Sequence, residues 1–136
     1  MASNWVFGKR SLKELDSVKD SLRVIIEIAL GISIHDFGVT SGKRDAEEQN
    51  SLFKKGASKK DGYVNLSVHQ SGGAVDLAIY VNGKITWEPK YYIYLAGLIE
   101  AVAAFQGVDI RWGGDWDSDG DFDDQSFYDY CHWELV

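Results

Sequence analysis

Near the start of the chain, apolar residues recur at steps of three and four positions, which is the spacing of one face of a helix. The stripe consists of Leu12, Leu15, Val18, Leu22, Ile25 and Ala29. Ser11, with Glu14 three residues later, has the spacing of a capping box and predicts where the helix begins. Gly31 predicts where it ends, because glycine accepts the left-handed conformation that closes many helices. These residues predict one long amphipathic helix.

Two further helices are predicted from the placement of charge, proline and glycine. Residues 44–56 carry acids early and lysines late, which suits the helix dipole, and Gly56 follows the end. A third helix is predicted to begin near Pro89 and to end near Gly107. Proline is tolerated in the first turn of a helix, and glycine often closes the last turn.

Short apolar runs bounded by turn residues predict the strands. They occupy residues 37–42, 74–81, 109–113 and 131–136. Asn82-Gly83 is a strong signal for a two-residue hairpin, after which KITW forms the returning strand. Residues 56–62 and the run GGDWDSDGDFDD lack periodicity and are predicted to be loops. The predicted fold class is α+β, a small and mainly antiparallel sheet packed with about three helices.

The length of 136 residues predicts a single domain over residues 1–136 with one modest core. Glu27 interrupts the apolar run RVIIEIAL, so no transmembrane segment is predicted. The first residues show no apolar segment followed by a cleavage site, so no secretory signal is predicted either. Cys131 is the one cysteine, which excludes an internal disulfide.

The negative charge of the chain is concentrated at its end. Residues 1–111 carry 14 Lys and Arg against 13 Asp and Glu, whereas residues 112–136 carry eight acids and no Lys or Arg. An acidic block argues against nucleic acid as a partner, because binding to phosphates requires positive charge. It favours a cation instead.

Two histidines and an aspartate have the chemistry of a catalytic zinc site, which needs three protein ligands and one open position. They are His69, Asp76 and His132. His69 lies in a glycine-containing turn and Asp76 in the adjoining strand, so their side chains can face one point. Taken singly, His69 is also typical of a loop histidine and Asp76 of a turn residue. The fold must bring His132 to them.

A carboxylate near His132 is expected to act as general base on a metal-bound water. Asp129, three residues earlier, is the first candidate. Glu134 is the alternative, because residues two apart on a strand face the same side. Cys131 is adjacent to His132 and is therefore expected to point to the opposite face, as a small buried residue.

The acidic run has the spacing of the first half of a calcium-binding EF-hand loop, with oxygens at alternate positions followed by glycine. The predicted calcium ligands are Asp115, Asp117, Asp119 and Asp121. Ser126 occupies the place of the bidentate glutamate of a true EF-hand, and Asp124 is a possible replacement. We therefore expect an EF-like calcium loop at residues 115–124, inserted in the single domain. The alternative is a solvated acidic turn.

The sequence from Ser67 to Asp76, S-x-H-x-x-G-x-A-x-D, resembles the first metal half-site of the VanY-like D-alanyl-D-alanine peptidase family. The sequence from Asp129 to His132 resembles the second half-site, acid-x-x-His, and SGKRDAEEQ is similar to a segment with a functional arginine and glutamine. The similarity is greatest to small phage endolysins that act as L-alanyl-D-glutamate peptidases. It extends through FGKRS, YVNGKITW, RWGGDW and HWELV, and thus over nearly the whole chain.

The resemblance implies the LAS-type zinc peptidase fold and three zinc ligands, His69, Asp76 and His132. It implies that Asp129 deprotonates the metal-bound water. Arg44 would bind the substrate carbonyl or the oxyanion that develops on it, a role that suits its fixed positive charge. Ser67 and Gln49 would support the ligands or contact the substrate. Calcium is expected to act as a regulator.

The function implied is hydrolysis of the L-Ala–D-Glu bond in peptidoglycan stem peptides by a monomeric endolysin. Such an enzyme is made in the host bacterial cytoplasm and reaches the cell wall after release by a holin. Two alternatives remain at this point. One is a D-Ala-D-Ala carboxypeptidase or dipeptidase of the same family, and the other is a non-catalytic, calcium-dependent wall-binding module.

Overall fold

The computed structural model describes residues 3–136. Four α-helices, one short 3₁₀ helix and five strands follow one another along this part of the chain. The helices are α1 (Lys9–Asp16), α2 (Asp20–Ile32), α3 (Ala46–Lys54) and α4 (Pro89–Gln106), with the 3₁₀ helix at Val68–Ser71. The strands are β1 (Asp36–Ser41), β2 (Ala74–Val81), β3 (Lys84–Thr86), β4 (Ile110–Gly113) and β5 (Asp129–Leu135).

The strands form one antiparallel sheet. Its order is β1-β2-β5-β4, and β3 pairs with β2 as the returning strand of a hairpin. Every strand pairing is antiparallel, which confirms the predicted α+β class. None of the helices between residues 3 and 136 combines the length and the apolar character that a membrane crossing requires.

The single long helix predicted for the first third of the chain is wrong, because the structure has two helices there. α1 ends at Asp16 and α2 begins at Asp20. The break is held from outside, since the Lys19 N–H donates to the Gly72 carbonyl (2.9 Å) instead of continuing a helix. Gly31 lies within the last turn of α2 and does not end it.

The predicted capping box of this helix is also wrong. Ser11 lies inside α1, and its Oγ accepts the Val39 N–H of β1 (3.0 Å). The Glu14 carboxylate accepts the Gly42 N–H (3.0 Å). Both side chains therefore fasten α1 to β1 and to the residue after it, and neither caps the helix start.

The remaining elements agree with the predictions to within two residues at the strand ends. β2 spans the predicted residues, and Asn82 and Gly83 both have positive φ, as the hairpin requires. α4 begins at Pro89 and is closed by Gly107 at φ +67°. α3 is shorter than predicted, because Asp45 caps it by accepting the Glu48 N–H.

One face of the sheet is buried under α2 and α4. The residues of β2 that point into this core are Val75, Leu77 and Ile79, all essentially inaccessible to solvent. Side chains alternate along a strand, so Asp76 lies on the opposite face. The core therefore fixes which residues of β2 face the functional side of the sheet.

Candidate active site

The structure brings His69, Asp76 and His132 together. Asp76 and His132 are direct partners across β2 and β5, and His69 reaches them from the 3₁₀ helix. His69 Nε2 lies 3.2 Å from His132 Nδ1 and 3.4 Å from Asp76 Oδ1, and His132 Nδ1 lies 3.3 Å from Asp76 Oδ1. Three candidate ligand atoms thus form a nearly equilateral triangle.

This triangle fits a tetrahedral metal ion. Zinc binds histidine nitrogen at about 2.0–2.1 Å and carboxylate oxygen at about 2.0–2.2 Å, which places two ligand atoms of a tetrahedron about 3.3–3.5 Å apart. The three separations of 3.2–3.4 Å match that value. Both histidines are buried, so the three atoms converge inside the protein and not on a mobile surface.

Each histidine is oriented by its second ring nitrogen. His69 Nδ1 donates to the Gly42 carbonyl (2.8 Å), and His132 Nε2 donates to the Glu134 carboxylate (2.8 Å). These bonds hold the rings so that His69 Nε2 and His132 Nδ1 face the centre, where the deprotonated nitrogens can offer lone pairs to a metal. The neighbouring residues thus fix both rings in orientations that suit candidate metal ligands.

The carboxylate of Asp76 is oriented in the same way by Arg44. Arg44 Nη2 donates to Asp76 Oδ2 (2.8 Å), which leaves Oδ1 toward the histidines. Arg44 is itself held by Ser41 Oγ (3.1 Å) and by Gln49 Oε1 (3.1 Å). The structure therefore places Arg44 behind a candidate ligand as well as at the cavity.

The charges of this cluster are coupled. Burial by itself would raise the pKa of Asp76, but hydrogen bonds from His132 and His69 hold this pKa well below its usual range. Burial lowers the pKa of His132, but hydrogen bonds to Asp76 and Glu134 outweigh it and raise the pKa to about 9. At neutral pH the cluster therefore holds an ionised Asp76 beside a protonated His132, and a metal ion that binds there would displace the His132 proton.

Local sequence explains the position of His69. Ser67 caps the 3₁₀ helix by accepting the His69 N–H, and the Gln70 side chain accepts the Ser67 N–H in return. Gly72 ends the helix at φ +78°, a conformation that glycine adopts without strain. Ser67 therefore shapes the turn that carries His69, and it also lines the cavity.

Gln49 is fully buried, so it is not available to a substrate. Its side-chain oxygen accepts from Arg44, and its amide donates to Ser58 Oγ (2.7 Å) and to the Lys60 carbonyl (2.8 Å). Of the two roles expected for Gln49, contact with the substrate is therefore excluded by burial, and support of Arg44 agrees with its position.

Asp129 lies at the edge of the same cluster. Its carboxylate is within 4.8 Å of ligand atoms of Asp76 and Cys131, and it lines the cavity in front of His132. The backbone leaves regular pairing here, because Gly113 pairs with Asp129 while Trp112 pairs with Trp133. This bulge turns Asp129 toward Asp76.

The expectation that Cys131 points away from the site is wrong. The bulge interrupts the alternation of β5, and the Cys131 thiol lies beside Asp129, to which it donates (Sγ–Oδ1, 3.1 Å). Burial, together with Asp76 and Asp129, raises the pKa of the thiol. A protonated thiol is a hydrogen-bond donor and not a zinc ligand.

Glu134 faces the same side as His132, as the strand spacing predicts. One of its oxygens accepts from His132 Nε2 (2.8 Å), and the other accepts from Arg111 Nη2 (2.9 Å). Both carboxylate oxygens are engaged and the side chain is buried. This geometry leaves Glu134 little capacity to accept a proton from a reactant.

Comparison with known proteins identifies the family. Residues 3–136 match the family described as phage L-alanyl-D-glutamate peptidase. The chain belongs to this family. The L-alanyl-D-glutamate peptidase of Escherichia phage T5 is 35% identical over 135 residues, which cover 96% of this chain and 97% of that protein. The protein is therefore a peptidase of the L-alanyl-D-glutamate type.

Two further relatives agree. The peptidoglycan L-alanyl-D-glutamate endopeptidase CwlK of Bacillus subtilis (strain 168) is 32% identical over 110 residues, covering 74% of this chain and 61% of CwlK. The crystal structure of the Serratia marcescens L-Ala D-Glu endopeptidase ChiX superposes with a TM-score of 0.79 at 28% identity, covering 98% of this chain and 92% of ChiX.

A structure with lower sequence identity shares the fold. The vancomycin resistance D,D-dipeptidase VanXYg superposes with a TM-score of 0.56 at 16% identity, covering 88% of this chain and 50% of VanXYg. This likeness shows the shared LAS-type fold and confirms the predicted fold family.

The acidic loop of this peptidase gathers three of its predicted calcium ligands. Carboxylate oxygens of Asp115, Asp117 and Asp119 lie within 4.8 Å of one another. Asp121 is not part of that group, and its carboxylate instead accepts the Asp123 N–H (2.9 Å). Three of the four predicted side chains therefore lie together, and the calcium role of all four stays a prediction.

Asp115 is the buried member of the group, with 5% of its surface exposed. Its Oδ2 accepts the Gly120 N–H (2.9 Å), whereas its Oδ1 is buried and has no hydrogen-bond partner among the described residues. A buried carboxylate oxygen without a partner is costly, and a cation would satisfy it. Gly120 has φ +84°, a turn that suits glycine at this place of an EF-like loop.

Trp116 connects the acidic loop to the histidine cluster, and sequence reasoning missed it. Its ring lies 5.6 Å from the ring of His132 and stacks on Phe127 at 6.1 Å. Its backbone sits between two members of the carboxylate group, Asp115 and Asp117. The available signal was a large aromatic residue inside a run of acids and glycines.

Proposed function

We propose that the protein is a zinc-dependent, calcium-regulated endolysin that hydrolyses the L-Ala–D-Glu bond of peptidoglycan stem peptides. The observation that carries the zinc proposal is the triangle of His69 Nε2, Asp76 Oδ1 and His132 Nδ1, with sides of 3.2–3.4 Å. The family supports the substrate. The cavity of about 590 Å³ in front of the triangle can receive a peptide.

The three atoms of the triangle would hold the zinc ion. When bound, zinc supplies Lewis-acid polarisation of a carbonyl and lowers the pKa of a water. Gly42 and Glu134 keep the two histidines in the required orientations through the hydrogen bonds described above.

Asp129 is the proposed general base. It accepts a proton from the water that attacks the L-Ala carbonyl carbon. When the C–N bond breaks, the same carboxylate passes that proton to the nitrogen of the leaving D-Glu. The Cys131 thiol engages Asp129 Oδ1, so Oδ2 is the oxygen that remains for this transfer. Glu134 is the weaker candidate because both of its oxygens are already engaged.

Arg44 is proposed to act in two ways. Its contact with Asp76 keeps Oδ1 directed at the histidines. It also lines the cavity, where N–H groups beyond its three side-chain contacts can donate to the substrate carbonyl and to the oxyanion that develops there.

Calcium is proposed to bind at Asp115, Asp117 and Asp119. Desolvation, and after it the charges of the nearby Asp119 and Asp117, raise the pKa of Asp124, as expected where like charges crowd together. A cation would relieve this repulsion and satisfy Asp115 Oδ1. Ordering of the loop would also fix Trp116, whose ring contacts the ring of His132 and would hold it in place.

The bond cut by the enzyme is the direct test of function. Purified protein loaded with zinc should release fragments from peptidoglycan that begin with D-Glu at a new amino terminus, measured by mass spectrometry. Release of D-Ala would instead favour the carboxypeptidase or dipeptidase alternative. Wall binding without any new amino terminus would favour the non-catalytic binding module.

Calcium should raise the activity of the wild type, and a double variant, Asp115→Ala with Asp117→Ala, should show low activity that calcium does not raise. Zinc should stay bound, because neither residue is in the histidine cluster. An incomplete EF-like loop is expected to bind calcium weakly, with a Kd of roughly 10⁻⁵ to 10⁻³ M. The measurement is wall lysis across a calcium titration at fixed zinc.

The charge-matched control for the loop is a pair of single variants. Asp117→Asn lies inside the carboxylate group, and Asp109→Asn lies outside it with the same change in net charge. Only the first should weaken calcium binding in calorimetry. A wild type that binds no calcium and lyses walls equally with and without it would contradict the regulatory proposal.

Gly113→Ala should lower activity by roughly tenfold or more and destabilise the fold by about 1–3 kcal/mol. A methyl group on Gly113 would overlap the Asp129 carbonyl, so the bulge that aims Asp129 must shift. Gly97→Ala is the control, because a methyl group there meets no atom within 4 Å. Thermal unfolding and muropeptide hydrolysis measure the two effects, and unchanged activity would show that the bulge does not position the base.

A further inference from the structure

One wall of the active-site cavity is a short basic loop, residues 57–62, that is tightly built. Gln49 donates to Ser58 Oγ and to the Lys60 carbonyl, and Asn50 donates to the Asp61 carbonyl (2.9 Å). Asp61 in turn accepts the N–H groups of the three residues at 63–65. The backbone of the loop is therefore fixed before any ligand arrives, which lowers the entropic cost of binding.

Two lysines of this loop, Lys59 and Lys60, line the cavity. Neither forms an ion pair within the described part of the chain. The Lys59 ammonium lies 4.5 Å from the centre of the ring of Phe127, which also lines the cavity, and this cation–π contact holds the charge beside it. Both side chains are exposed and free to meet an anion.

The other charges of the cavity are already balanced. Arg44 pairs with Asp76, and Arg111 pairs with Glu134. The lining carries four Lys and Arg side chains against three Asp and Glu side chains, although the whole chain has a net charge of −7. Among the charged lining residues, those left without an ion pair within residues 3–136 are Lys59, Lys60 and the proposed base, Asp129. Lys59 and Lys60 therefore give the cavity unpaired positive charge that can bind an anionic group.

Glutamic acid supplies such a group. It has two carboxyl groups, and a linear peptide uses one of them to continue the chain. The residue after the scissile bond of an L-Ala–D-Glu substrate therefore keeps a second carboxylate within a few bonds of the leaving nitrogen. This carboxylate would be repelled by Asp129 and attracted to Lys59 and Lys60.

We propose that Lys59 and Lys60 are specificity-determining residues that bind the free carboxylate of the D-Glu residue of the substrate. The proposal rests on the proposed function of the site as an L-Ala–D-Glu endopeptidase. It predicts a preference of the enzyme for stems in which this carboxyl group is ionised over stems in which it is amidated. It also fixes the direction in which the peptide lies, with D-Glu toward the basic loop.

The test uses two synthetic stem peptides that differ only in this carboxyl group, one free and one amidated. Lys59→Met and Lys60→Met remove the charge but keep much of the side-chain length, and the loop contacts of Lys60 are made by its backbone. For the free acid, each variant should lose roughly tenfold in kcat/KM, mostly through KM, as expected for one charge-assisted contact. For the amide, each should change less than twofold.

Lys55→Met is the matched control, because Lys55 follows α3 just before the loop and carries the same charge but does not line the cavity. Lys55→Met should leave kcat/KM unchanged for both substrates. Lys60→Arg should keep part of the preference for the free acid that Lys60→Met loses. Equal effects of Lys59→Met and Lys60→Met on acid and amide, or no effect on either, would overturn the proposal while leaving the peptidase function intact. Failure of the zinc-loaded wild type to cut either peptide would instead overturn the proposed function.

Discussion

Replacing His69, Asp76 or His132 with alanine should leave the protein without tightly bound zinc and without peptidase activity. Each residue supplies one atom of the triangle, and two remaining ligands do not hold zinc in a catalytic site. We expect zinc affinity to fall by more than roughly 100-fold, since loss of an outer partner alone costs about 10–100-fold. Metal analysis of the purified variants and muropeptide hydrolysis measure both losses.

The third histidine provides the control for these variants. His35 packs edge-to-face against Tyr91 and Tyr94, outside the metal cluster. His35→Ala should therefore keep zinc at one ion per chain together with activity, even if it costs some stability. Full zinc content and full activity in any one of the three ligand variants would remove that residue from the site.

Glu134→Gln should have an intermediate effect on zinc. Glutamine can still accept from His132 Nε2, but it loses the charge that stabilises the imidazole and the pair with Arg111. A fall of roughly 10–100-fold in zinc affinity is the size expected for such a partner. The graded series separates residues that bind the metal from residues that orient its ligands.

Local sequence is sufficient to predict those elements whose ends are marked by turn or capping residues. The hairpin at Asn82-Gly83 and the helix between Pro89 and Gly107 lie where turn and cap chemistry predicts them. The break between α1 and α2 has no glycine or proline to announce it. It depends on the contact of Lys19 with Gly72, which is distant in sequence, so no reading of the local periodicity would find it.

In the candidate site, too, some features can be predicted from the sequence and others cannot. The candidate ligands were found from residue type, spacing and family resemblance, because these are properties of the sequence itself. The group that orients His69 is the Gly42 carbonyl, and a backbone atom leaves no residue-type signal. The predicted direction of the Cys131 side chain is wrong, because the bulge in β5 that redirects it depends on the pairing of Asp129 with Gly113. Contacts set by strand register and bulges thus lie beyond a reading of spacing alone.

Asp129→Asn should reduce the rate of hydrolysis by roughly 10²-fold or more while zinc and wall binding are retained. Asparagine keeps the shape of the side chain but cannot take a proton from the attacking water at neutral pH. The loss should appear in kcat and not in KM, since the carboxylate acts on the reacting atoms. Single-turnover hydrolysis of a defined stem peptide, with metal analysis of the same sample, measures it.

The comparison that decides the assignment is between Asp129→Asn and Glu134→Gln at saturating zinc. Glu134 acts through His132, so excess zinc should restore much of the activity of its variant. Asp129 is not among the three atoms that form the metal triangle, so excess zinc should restore nothing to its variant. An active Asp129→Asn beside a Glu134→Gln that stays inactive with full zinc would assign the base to Glu134. Its contacts with His132 and Arg111 would then have to open when substrate binds.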